Sequence, residues 1–149
     1  MGRAARVTFG PRWTCPRCGR AFAARNQTHA CGRWDLERHL DGKPEVVVAT
    51  FWAVVDAARA AGPFELVPEK TRVALHARMS FAALVPRTRW VDGHVVLARR
   101  LESPRFRRIE TYSPRNHLHA FRLAGPGEVD DDVRAWLAEA YEVGMQRHL

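Results

Sequence analysis

The sequence predicts an α+β protein. A small zinc module occupies residues 1–34, and residues 35–149 form an α-β(5)-α domain whose antiparallel sheet is covered on one face by two helices. Three observations predict this. All three cysteines lie between positions 15 and 31. The apolar spacing then runs from a helical period to a period of two and back again. Finally, 149 residues with 46% apolar content suit one ordinary core plus a small module.

Residues 1–12 read as a basic lead-in, and the module follows as WTCPRCGRAFAARNQTHACGR. Cys15 and Cys18, two residues apart, can turn both sulfurs toward one ion, and Gly19 frees the chain to leave that turn. His29 and Cys31 share one side of an extended segment and supply the other half. Four protein ligands close a tetrahedral shell, so the single Zn²⁺ expected on Cys15, Cys18, His29 and Cys31 is structural. His39 is the alternative fourth ligand, set on a short helix over 35–40. The competing account, unrelated thiols with one disulfide, leaves an odd cysteine. A segment this short needs the metal for its folding energy.

Asp35 is placed to cap the short helix, and Asp41-Gly42 ends it. Pro44 suits the first turn of the next helix, and Gly62-Pro63 stops it. Val47, Val48, Phe51, Val54, Val55 and Ala58 recur at three and four between them. From Phe64 the period is two. In Thr71–Met79, Val73, Leu75, Ala77 and Met79 alternate with Arg72, Ala74, His76 and Arg78. Further strands are expected over 81–85, 90–100, 107–112 and 117–123, with Asp92-Gly93 either a hairpin turn or a bulge. The closing helix runs from about Glu128 to Gln146, with Asp130, Asp131 and Asp132 at its positive end. Val133, Trp136, Leu137, Ala140 and Tyr141 form its buried stripe.

The net charge of +8 is unevenly spread. Residues 1–34 carry seven arginines and no acid, whereas 71–124 carry eleven arginines against three acids. The stretches between and after them are acidic. Arginine supplies 22 of the 24 cations, and its fork suits phosphate and base edges. No apolar run approaches the length of a membrane span. The N-terminus lacks the apolar core of a secretory signal, so a cytoplasmic location with reduced thiols is expected.

PEKTRVALHARMSFAALVPR, SPRFRRIETYSPRNHLHAFRL and WLAEAYEVG together resemble a bacterial family catalogued as a domain of unknown function, DUF5655. WTCPRCGRAFAARNQTHACG resembles the zinc-ribbon-like leader of some of its members. The closing strand and helix are also similar to the MmcQ/YjbR group, which implies a frataxin-like fold and suggests DNA binding.

The charge pattern points to a non-catalytic binder of a polyanion, foremost nucleic acid. Arg17, Arg20, Arg25 and Arg33 surround the expected ligands, where an ordered loop would present them to phosphates. Arg72, Arg78, Arg87, Arg89, Arg99 and Arg100 come from neighbouring strands, and Arg105, Arg107, Arg108 and Arg115 from loops or strand ends. Trp13 and Trp34 suit base stacking, although aromatics beside a zinc turn more often pack the module. An alternative is a ligand or enzymatic pocket around His76, Tyr112, His117 and His119. Histidines sharing a face with apolar residues are more often satisfied core groups, and no nucleophile stands beside a base. A third alternative is a protein-interaction or regulatory module docking through the finger and the acidic helices. Oligomeric state is left open.

Overall fold

The computed structural model describes residues 35–148 without a break, and before them Trp13–Thr14, Pro16 and Ala21–Phe22. Strands β1 (Trp13–Thr14) and β2 (Ala21–Phe22) pair antiparallel, Trp13 opposite Phe22 and Thr14 opposite Ala21. The chain between them includes Cys15 and Cys18. Cys15, Cys18, His29 and Cys31 themselves lie outside the described residues, as do Arg17, Arg20, Arg25 and Arg33.

Helix α1 (Leu36–Leu40) starts after Asp35 as expected, but the Asp35 side chain makes no capping hydrogen bond. His39 on α1 donates from Nε2 to the Glu69 carbonyl at 2.7 Å, so that nitrogen is committed to the domain. Helix α2 (Glu45–Arg59) begins behind Pro44, whose missing N–H costs nothing at a helix start. Val47, Phe51, Val54, Val55 and Ala58 are fully buried along one stripe. Val48, expected in that stripe, is only half-buried. Thr50 is buried with it, its hydroxyl satisfied by the Val46 carbonyl at 2.6 Å.

The sheet has six antiparallel strands in the order β3-β4-β5-β6-β8-β7. They are β3 (Glu65–Pro68), β4 (Val73–His76), β5 (Ser80–Pro86), β6 (Val91–Leu97), β7 (Arg108–Ser113) and β8 (Asn116–Leu123). Five were expected, and the unexpected one is β3. It is short and proline-flanked, which an edge position tolerates because that edge needs no donors. β4 ends at His76 and not at Met79: the chain turns there, and the N–H groups of Arg78 and Met79 both donate to the Gly144 carbonyl, at 2.9 and 3.0 Å. Opposite it, the register slips between Leu75 and His76, leaving Phe81 as an extra residue. Phe81 and Ala82 therefore both join the core.

Asp92-Gly93 is neither turn nor bulge. β6 runs straight through it, with Asp92 opposite Val85 and Arg122, and Gly93 opposite Leu84 and Phe121. The glycine is there for packing: a Cβ would stand 2.9 Å from Cε1 of Phe121.

After a 3₁₀ turn (Pro126–Glu128), α3 (Asp131–Gly144) is capped by Asp130, whose carboxylate accepts from the Val133 N–H at 3.2 Å. Its expected stripe is buried throughout, and Val143 and Gly144 extend it. α2 and α3 pack together on one sheet face, sharing a core with Val73, Leu75, Leu84, Val95, Phe121 and Leu123. Each large side chain buried there contributes about 1.5–3 kcal/mol.

Candidate anion-binding groove

The face of the sheet away from α2 and α3 is where the alternate residues point. Strand pairing lines up Ala74, Ala83, His94, Ala120 and Arg108 as one row across β4, β5, β6, β8 and β7. Alanines on both sides of His94 leave a hollow, because a methyl cannot fill the space between pleats. The groove over this floor measures about 200 Å³. Its rim is cationic: Arg72, Arg87, Arg107, Arg108 and Arg122 all line it, with Asp92 among them. The next row, Val85, Asp92 and Arg122, supplies the rim on one side. A more open hollow beside it is lined by Lys43, Thr88 and Trp90 and shares Arg87, Asp92 and Arg122.

Four of the five guanidiniums are held in the same way. Asp92 takes Arg122 Nε at 2.8 Å and Arg87 Nε at 3.1 Å, one on each oxygen. Glu69 takes Arg72 Nε at 2.7 Å, and Glu110 takes Arg108 Nε. The Arg122 guanidinium also lies 4.0 Å from the centre of the Trp90 ring, which fixes its plane. Fixing Nε orients each fork while leaving its terminal NH₂ groups without a hydrogen bond among the described residues. Arg107 is exposed and forms no ion pair among the described residues; only its backbone is tied, donating to the Ala120 carbonyl at 2.7 Å.

Burial pushes the Asp92 carboxyl up, but hydrogen bonds and charge from Arg122 and Arg87 outweigh it and hold it below the usual carboxylate range. His94 moves the other way from an ordinary imidazole. Burial, then the charges of Arg72 and Arg108, lower it to about 4, with the charge of Glu110 opposing. It is therefore neutral at pH 7, an uncharged ring at the centre of a cationic rim, with no hydrogen bond among the described residues.

The arginines expected to make one field are divided. Arg72 and Arg87 line the groove, and Arg89 stands exposed in the turn closed by the Arg87 N–H and Trp90 carbonyl. Arg78 is bonded to Gln146 at 2.9 Å, and Arg99 is held by both oxygens of Glu139 on α3, at 2.9 and 3.0 Å. Arg100 pairs with Glu102 at 3.0 Å, and Arg115 donates to the His148 carbonyl at 3.0 Å. Arg105 grips Asp130 through two contacts of 2.9 and 2.8 Å, which braces the start of α3.

The four residues of the alternative pocket do not converge. His117 and His119 sit opposite Leu97 and Val95, on the helix-covered face. His119 is fully buried: Nδ1 donates to the His117 carbonyl at 2.9 Å, and Nε2 accepts from the Leu101 N–H at 2.9 Å. Burial also lowers its pKa, so it is a neutral ring pinning the loop between β6 and β7. His117 accepts from Thr111 at 2.9 Å and donates to the Pro114 carbonyl at 3.1 Å, holding the β7–β8 hairpin. Both nitrogens of each ring are thus occupied. His76 lies on β4, three strands from β8, with Nδ1 at 3.2 Å from the Ser80 hydroxyl. Tyr112 is exposed on β7 and donates to Glu110 at 2.9 Å.

Sequence reading missed His94 and Arg122. Both were legible from the alternation of β6 and β8, but a break assumed at Asp92-Gly93 hid the phase of β6. Among the described residues, no group of three or more His, Cys, Asp or Glu side chains is placed to hold a metal ion, and no helix is long and apolar enough to cross a membrane.

The family described as a domain of unknown function, DUF5655, matches residues 36–144. That range runs from the start of α1 to the end of α3 and so takes in the groove. Comparison with curated proteins and with solved structures gives no match.

Proposed function

The chain belongs to the DUF5655 family, and because that description carries no activity we propose, from its own residues, that it is a non-catalytic binder of phosphate-bearing polyanions, with nucleic acid as partner. The observation that supports this is the gathering of five arginine forks around one hollow of the open sheet face. Guanidiniums pre-oriented by carboxylates on Nε lose little freedom on forking to phosphate oxygens. The two histidines with apolar neighbours spend their nitrogens on internal bonds, which favours binding over acid–base chemistry.

The N-terminal module belongs to this proposal. Its donor set, three thiolates and one imidazole, is that of a closed structural zinc site. Pairing of β1 with β2 brackets Cys15 and Cys18, as a metal-organised turn requires. Cys15, Cys18, His29 and Cys31 would hold one Zn²⁺, and Arg17, Arg20, Arg25 and Arg33 would add to the phosphate-facing surface. A cytoplasmic setting keeps those thiols reduced.

Titration of a labelled single-stranded oligonucleotide at several salt concentrations tests the function. Three to five phosphate contacts give a log–log slope of about −2 to −3.5. Arg107→Ala, which removes a cation held by no carboxylate among the described residues, should bring the slope nearer zero by about 1. Association that ignores salt, or none at all, overturns the proposal.

A further inference from the structure

Among the described residues the groove gathers five guanidiniums around one hollow. Arg78, Arg99, Arg100 and Arg115 do not line it and bond to Gln146, Glu139, Glu102 and the His148 carbonyl. On the side opposite Asp92, the next row places Val96 beside Leu118, whose bulk ends the alanine floor. The open hollow beside it adds only Lys43 and shares Arg87 and Arg122 with the groove, so the groove holds the denser set of cations.

The seat has a definite charge. Five guanidiniums line it, and three carboxylates (Glu69, Asp92 and Glu110) hold four of them, leaving a formal +2. An internal phosphodiester carries a single negative charge, which leaves half of that unmatched. A phosphate monoester carries about −1.5 to −2 at neutral pH and presents three acceptor oxygens. That answers the charge. At the floor, His94 adds a ring N–H that no described residue takes. The neutral imidazole does not raise the charge of the empty seat, and it can accept a proton when a dianion arrives.

We propose that the alanine-floored hollow around His94 seats one phosphate monoester, so that a nucleic-acid strand is gripped by its phosphorylated end. This rests on the anion-binding reading above and narrows it from the length of the strand to its terminus.

The test uses the full chain and one oligonucleotide in three forms, with hydroxyl ends, a 5′-phosphate or a 3′-phosphate. One phosphorylated form should bind about tenfold or more tighter than the hydroxyl form, the equivalent of one added charge-assisted pair. Inorganic phosphate should erase that preference. His94→Gln and Arg107→Ala should each shrink it, and Arg107→Ala should also weaken hydroxyl-ended binding through the lost cation; Arg107 is exposed, so folding is not at stake in that variant. Equal affinity for all three forms, still salt-dependent, overturns the terminal seat and leaves the nucleic-acid function standing. If no oligonucleotide binds, that function fails. Calorimetry with inorganic phosphate and a nucleoside monophosphate then decides the seat alone: heat that vanishes in Arg107→Ala supports it, and no heat overturns it.

Discussion

Gly93 stands where the core has no room for a methyl. A Cβ there would lie 2.9 Å from Cε1 of Phe121 and 3.1 Å from Cδ2 of Leu84, both on neighbouring strands. Gly93→Ala should therefore destabilise the fold by about 1–3 kcal/mol through overpacking, seen as a lower urea midpoint at an unchanged slope. An unchanged midpoint would mean that the Phe121 ring yields freely. The same residue shows why part of the site was hidden. Asp-Gly is a strong turn signal, but here Asp92 is needed on one face to hold two arginines and glycine on the other to admit a ring. Two tertiary demands on adjacent residues imitate a local one. His117 and His119 were more legible, since their apolar neighbours on β8 pointed to the core where they are found.

At the scale of elements, the helices were readable because their stripes and stops lie within one segment: Pro44 opens α2, and Asp130 caps α3. β3 was not, because four residues ending in proline have little pattern of their own and become a strand only beside β4. The arginine field was half legible. Sequence gave the count of cations, but which ones meet depends on strand order, and β8 lies between β6 and β7. Strand order also decides which carboxylates take the rest. The β1–β2 pair carries its own prediction. Metal analysis of the intact protein should find one zinc per chain, and Cys18→Ser and Cys31→Ser should each lose most of it. Unaltered zinc in both variants would show that those sulfurs are not ligands.

For the whole molecule, two neutral histidines, His119 fully buried and His94 half-buried, contribute to the response to acid. An unfolded histidine titrates near 6.5, whereas His94 is lowered to about 4 and His119 is lowered as well. Between those values the unfolded chain binds more protons than the folded one, so stability is full above the window and falls as pH drops through it. His94 is only partly screened from solvent, and its share is on the order of 1–3 kcal/mol. Urea midpoints measured above and within the window should fall on acidification, and by less in His94→Gln. A midpoint that stays level across the window contradicts a neutral His94.

The Gly144 carbonyl at the end of α3 takes the amides of Arg78 and Met79, and at this glycine the helix lies so close to Phe81 that a Cβ would come within 2.6 Å of its ring. The bend joining β4 to β5 is thereby clasped by a helix more than sixty positions away along the chain. The bend cannot open like an ordinary surface loop, because prising it loose means lifting the helix tip, so both yield together or neither does.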